Sequence, residues 1–185
     1  MQQKSAPRSA AGTAGPGQRP PAAGGLDDLV ADLHRAHGLT LVRMAKLLVG
    51  DQQSAEDVVQ DVFLGLYRAL PRLRDPQAIL PYLRAAVINR SRSALRSRRR
   101  AALRLVQHEP PARSAESAVM DHADRLAVIA AVRKLPRRSR EVLVLRYYQD
   151  LSDTDIAATL GISTGTVRST ASRAIAALAA ELKEE

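Results

Sequence analysis

The apolar residues of this chain recur at steps of three and four, and that spacing decides its fold class. Leu29, Val30, Leu33, His37, Leu41, Met44 and Leu48 make one such series, beginning from Leu26. Ala55, Val58, Val59, Val62, Phe63, Leu66 and Leu70 make a second, wide enough to be one buried helix face. Gly50 and Asp51 interrupt between them, and Ser54 is placed to cap the second helix. After a loop at Pro71 to Gln77, a third helix is expected from about Ala78 towards Leu105, with Leu80, Leu83, Val87 and Leu95 inward. No segment alternates apolar and polar as a strand would. Aromatic residues are only 3%, and most of the apolar content is Ala, Leu and Val, which suits small helical bundles better than a large sheet. The expected class is all-α, with two small helical domains joined by a flexible linker, the second containing a helix-turn-helix.

Composition places the boundaries. Residues 1–25 are dominated by Ala, Gly, Pro and polar side chains, including GTAGPGQRPPAAGG, and cannot bury enough apolar surface to fold, so they read as a disordered tail. Residues 26–105 form the first domain. The segment 106–120, VQHEPPARSAESAVM, reads as a linker around Pro110 and Pro111. Residues 121–185 form the second domain, in which Leu126, Ile129 and Ala130 resume the helical pattern. Pro136 stands where its missing N–H is harmless at the start of a helix, and Val142, Leu143 and Leu145 pack that helix.

Within the second domain, DIAATLGISTGTVRST has the spacing of a helix-turn-helix. Ser152 can cap the first helix, with Asp155 at the third position after it. Ala157 is small where two helices approach, and Gly161 can take the left-handed conformation that ends a helix. Ser163 caps the second helix, and Val167 anchors it. If Val167, Ala171, Ala174 and Leu178 face inward, the other face carries Gly165, Thr166, Arg168, Ser169, Ser172 and Arg173 with no acid among them. Guanidiniums and hydroxyls on such a face can reach phosphates and base edges.

Charge separates the surfaces. Lys and Arg total 28 against 19 acids, giving a net charge of +9 that favours a polyanion as partner. Arg84 to Arg104 contains eight Arg and no acid, with Asn89, Arg92, Arg96 and Arg99 on one helix face, a stripe suited to a phosphate backbone. In contrast, Asp51 to Asp61 holds four acids and no base. Glu56, Asp57, Gln60 and Asp61 stand beside an outward Leu64, which points to a protein partner with a basic surface. There is no Cys, and the four His are scattered, so no metal site is expected. No nucleophile–base pair or phosphate-cradling Gly loop appears, so neither an enzyme nor a cofactor is expected. No apolar run approaches the roughly 20 residues of a membrane span, and no signal peptide begins the chain, so membrane insertion is not expected and the cytoplasm is the expected compartment.

Taken in order, AEDVVQDVFLGLYRAL, YLRAAVINRSRSALRSRRR and LPRRSREVLVLRYYQDLSDTDIAATLGISTGTVRSTASRAIAAL resemble the bacterial extracytoplasmic-function sigma factors, over about Leu26 to Leu182. The resemblance implies that the first domain binds the clamp helices of core RNA polymerase and recognises the promoter −10 element as melted DNA. It implies that the second domain reads the −35 element as duplex. By motif, Glu56, Asp57, Gln60, Asp61 and Leu64 would face polymerase. Tyr82, Arg84, Asn89, Arg92, Arg96 and Arg99 would face the −10 strand, and Thr166, Arg168, Ser169, Ser172 and Arg173 the −35 duplex. An anti-sigma factor is a further partner the resemblance allows. One departure is that Tyr82 stands where family members often carry Trp, leaving it the aromatic nearby for stacking a base. A freestanding helix-turn-helix regulator is the alternative, and it accounts for the C-terminal half alone.

Overall fold

The computed structural model describes residues 25–73, 75–104 and 121–182, and every regular element among them is helical. The expected tail, Gly25 apart, and the whole expected linker lie outside the described residues. The helices are α1 (Leu26–Val49), α2 (Gln52–Ala69), α3 (Ile79–Arg104), α4 (Asp121–Lys134), α5 (Arg137–Leu143), α6 (Asp153–Leu160) and α7 (Thr164–Glu181). Short 3-10 turns at Leu70–Arg72 and Pro76–Ala78 lead into α3, and α5 widens into a π-helical turn at Val144–Tyr148.

The joint between α1 and α2 shows how local chemistry sets the first domain. Gly50 takes φ 100°, a conformation natural to glycine, and its N–H closes on the Lys46 carbonyl. Asp51 is extended and accepts the Ser54 N–H at 2.8 Å, so Asp51 is the cap and Ser54, expected to cap, is the third residue of the helix. The reason is a second partner. Arg98 of α3 donates to Asp51 at 2.6 Å and to Ser54 Oγ at 2.7 Å, tying both residues to one guanidinium. The α2 stripe is buried throughout as expected. Leu29, near the start of α1, is 41% exposed. One expectation fails in part. The inward face of α3 is Ile79, Leu83, Val87, Ile88 and Ser91, with Leu80 and Leu95 only partly covered. Helix α3 turns a second face, at Ile88 and Ser91, towards α5, a contact periodicity within one domain cannot show.

The second domain follows its caps. Pro136 sits just before α5, where its carbonyl accepts the Arg140 N–H. Ser152 accepts the Asp155 N–H at 3.1 Å and Ser163 the Thr166 N–H at 3.1 Å. Gly161 takes φ 65° between α6 and α7. Val167, Ala171 and Ala174 are buried, and Leu178 is half-buried.

The two domains share one core. Leu41, Met44, Leu83 and Val87 belong to the same apolar cluster as Val142, Leu145, Ile156 and Val167. No helix among the described residues is long and apolar enough to cross a membrane. Asp51→Ala is expected to destabilise the chain by about 1–2 kcal/mol in urea unfolding at neutral pH. Burial raises the Asp51 pKa, but the Ser54 N–H and Arg98 outweigh it and hold the carboxyl below its usual value. That contribution is present above the unfolded pKa and is lost as pH falls through the folded one. The gap between wild type and variant should therefore narrow below about pH 4. An unchanged gap across that range contradicts the capping role.

Candidate nucleic-acid interface

Helix α7 presents Thr166, Arg168, Ser169, Ser172 and Arg173 to solvent, as expected. Arg168 is 72% exposed, yet its Nε donates to Asp153 at 3.0 Å, which leaves its terminal nitrogens available for a bidentate contact. Asp153, at the start of α6, also holds Arg146. The face itself carries no acid, as expected, and the acid beside it on α6 is already shared between two guanidiniums. Arg173 donates to the Ser169 carbonyl, and Ser169 Oγ to the Thr166 carbonyl, so both side chains lie along the helix surface.

The α3 stripe is divided. Asn89, Arg96 and Arg99 are exposed, and Arg96 donates to Ser93 Oγ at 2.8 Å. Arg92 points the other way, into the second domain. It donates from Nε and Nη2 to the two oxygens of Glu141, at 2.7 and 2.8 Å, and from Nη1 to Asn89 at 3.3 Å. Glu141 is 2% exposed and also meets Arg138 and Arg137 of its own helix at 3.4 and 3.6 Å. The hydrogen bond to Glu141 raises the Arg92 pKa, outweighing its burial. One turn before Asn89, Arg84 donates to Gln149 at 3.0 Å, and burial lowers its pKa. Tyr82 is half-buried with its hydroxyl near Gly65 of α2, so it lies partly against its own domain. The second domain thus covers one end of the cationic stripe, at Arg84 and Arg92.

Glu141 and Gln149 went unnoticed in the sequence. The available signal was that Glu141 is the single acid between Asp124 and Asp150, set beside Arg137, Arg138 and Arg140 in an otherwise apolar and basic run. Nothing local told that it would be buried or would face α3.

On α2, Glu56, Asp57, Gln60, Asp61 and Leu64 form an exposed ridge, with Leu64 60% exposed. On one side Glu56, Gln60 and Leu64 border a groove of about 460 Å³ against α1, floored by Val59 and Phe63. On the other, Asp57 and Asp61 border a cleft of about 280 Å³ against α3, where Arg90 approaches Asp61 at 3.5 Å. A base thus neighbours the ridge, but both partners are more than half exposed, and the pair is weak in water.

The chain is similar to known proteins over both of its halves. Residues 33–101 match the family model described as Sigma-70 region 2, and residues 125–178 match Sigma-70, region 4. The RNA polymerase sigma-E factor of Streptomyces avermitilis is 35% identical over 144 residues, covering 77% of this chain and 79% of that protein. The ECF RNA polymerase sigma factor SigL of Mycobacterium tuberculosis is 32% identical over 161 residues, covering 84% and 90%. Among solved structures, CnrH in complex with the cytosolic domain of CnrY matches with a TM-score of 0.65 at 29% identity, over 87% of this chain and 92% of that one. The sigma factor RpoE in complex with the anti-sigma factor NepR from Bartonella quintana shares the fold, with a TM-score of 0.72 at 24% identity, over 85% and 98%.

The divided stripe has a measurable signature. In the free chain, Arg96→Ala and Arg99→Ala should each reduce the salt slope of single-stranded oligonucleotide binding by about 0.7. Arg92→Ala should reduce it much less, because its charge is already engaged by Glu141. Anisotropy titrations at several salt concentrations test this, and equal loss from all three residues contradicts the division.

Proposed function

The chain belongs to the sigma-70 family of RNA polymerase sigma factors, and on that footing we propose a role for each of its surfaces in transcription initiation. The α2 ridge of Glu56, Asp57, Gln60, Asp61 and Leu64 engages a basic, partly apolar surface of core RNA polymerase. Tyr82, Arg84, Asn89, Arg92, Arg96 and Arg99 of α3 take the melted −10 strand. Thr166, Arg168, Ser169, Ser172 and Arg173 of α7 read the −35 duplex in the major groove. The observation that carries this reading is the segregation of charge: an acidic ridge on α2 stands apart from the basic faces of α3 and α7 on one strongly basic chain. A freestanding regulator would give the α2 ridge nothing to do.

The working units in this reading are residues 26–105 and 121–185, connected by residues 106–120. Elements about two helical turns apart are separated by roughly 68 Å. The 15 residues from Val106 to Met120 span at most about 50 Å when extended. The domains must supply the rest by standing apart, so the shared core has to part when both elements are read. The chemistry of nucleotide addition belongs to the polymerase, and the chain contributes recognition without a cofactor. It works where polymerase and promoter are, in the cytoplasm. An anti-sigma factor is a further partner, in keeping with the solved complex of the sigma factor RpoE with the anti-sigma factor NepR.

Run-off transcription with core polymerase and a promoter library tests the whole reading: promoter-dependent transcripts are expected only when the chain is added. Asp57→Arg with Asp61→Arg should lower core affinity at least tenfold, about 1.4 kcal/mol, with helical content unchanged. Full affinity in that variant removes polymerase from the α2 ridge. Arg168→Ala should lower discrimination at one −35 position by about 1–3 kcal/mol. If output instead drops equally at every −35 sequence, Arg168 positions the protein without specifying the base.

A further inference from the structure

Arg168 faces duplex DNA in the reading above, and the residue that aims it belongs to another helix. We propose that Asp153 of α6 is a positioning residue for base specificity: it holds Arg168 by Nε, so that the two terminal nitrogens are committed to the edge of a guanine and not to whichever phosphate lies near. The proposal rests on the reading of α7 as the duplex-reading helix.

The first support is which nitrogen is held. Arg168 Nε donates to Asp153 Oδ2 at 3.0 Å, and Nη1 and Nη2 have no partner among the described residues. A guanidinium meets guanine through two parallel donors, on the O6 and N7 acceptors. With Nε engaged, the fork left for that contact is Nη1 with Nη2, at the far end of the side chain.

The second support is where the brace comes from. Asp153 stands 15 residues before Arg168, in the first turn of α6. A bond within α7 ties an arginine only to its own helix, as the Ser169 carbonyl ties Arg173. A bond from α6 sets the direction of Arg168 against the whole helix pair. It also joins two opposite charges, where the Arg173 bond ends on a neutral carbonyl.

The third support is that the carboxylate is itself held. Asp153 Oδ1 accepts from Arg146, which the π-helical turn at Val144–Tyr148 presents, and both side chains are only 25% exposed. Asp153 also sits at the N-terminus of α6, just after the Ser152 cap, where the helix dipole favours a negative charge. The carboxylate therefore cannot follow Arg168 if that side chain swings towards a phosphate, and the swing breaks their bond.

The balance of charge points the same way. An acid beside a DNA-facing helix weakens attraction to phosphates, and does so for every sequence alike. Ordering a long side chain before binding removes a penalty equivalent to a factor of roughly two to ten. That gain falls on the base that fits the fixed fork. Both effects of Asp153 therefore favour discrimination over general affinity.

With core polymerase, the full chain selects from a duplex library randomised over both promoter elements. Bound sequences are counted for the wild type, Asp153→Ala, Arg168→Ala and the double variant. Non-specific attraction is read separately, by anisotropy of the full chain on a mixed-sequence duplex. The wild type should prefer guanine at one −35 position, and Arg168→Ala should erase that preference. Asp153→Ala should weaken it roughly two- to tenfold while binding the mixed duplex roughly twofold tighter. In the double variant, loss of Asp153 should add nothing to the loss of Arg168 at that position. A merely structural role would lower both readouts, so a joint fall overturns the proposal. A full guanine preference in Asp153→Ala also overturns it, and the reading of α7 then stands. If another base is preferred at the Arg168 position, the assignment to guanine is wrong. If no position depends on Arg168, base reading by Arg168 fails and the proposal falls with it. Circular dichroism checks the fold, and should Asp153→Ala unfold, Asp153→Asn, which keeps the shape and gives up the charge, carries the same test.

Discussion

Glu141 is a carboxylate at 2% exposure in a protein of net charge +9, and three guanidiniums surround it. Removing an ion from water is costly, and only well-formed partners offset it. Arg92 supplies a bidentate contact from α3, and Arg138 and Arg137 add theirs from α5 itself. Because these partners come from both domains, satisfying one carboxylate fixes the rotation of α5 against α3. That rotation delivers Arg140 to the end of α1 and Gln149 to Arg84. The apolar cluster that runs across the domains fills in behind those polar contacts.

Charge on this molecule is sorted by helix. The basic excess gathers on α3 and α7, while α2 carries an acidic ridge with an exposed leucine. Such sorting suits a chain that must hold a polyanion and a protein at once. Field strength alone cannot specify a base, so specificity falls to side chains that are held in place. Arg168, steadied by Asp153 and leaving its outer nitrogens available, has that arrangement. Arg96 and Arg99, exposed and loosely held, suit sequence-independent attraction to phosphates.

Much of this was legible in the sequence because it is local. The α2 stripe, the Ser152 and Ser163 caps, the Gly161 turn and the outward face of α7 each depend on residues within a few positions of one another. Where a reading missed, the deciding contact came from far along the chain. Ser54 yielded the cap to Asp51 because Arg98 binds both. Leu80 and Leu95 are only half-covered because α3 spends Ile88 and Ser91 on α5. Arg84 and Arg92 look like free cations in sequence, since their partners lie 65 and 49 residues away. The candidate site was therefore readable as a set of helix faces and unreadable as an assembly, because periodicity says which face a residue occupies and not what covers it.

A chain closed when alone must open when it holds a polymerase and both promoter elements. The most direct measurement is the distance between spin labels on the two domains, taken by pulsed electron resonance on the free chain and again on the complete complex with core polymerase and promoter. A single short distance is expected in the free chain, replaced in the complex by a longer one approaching the roughly 68 Å spacing of two helical turns. The same short distance in both states would contradict the opening of the chain.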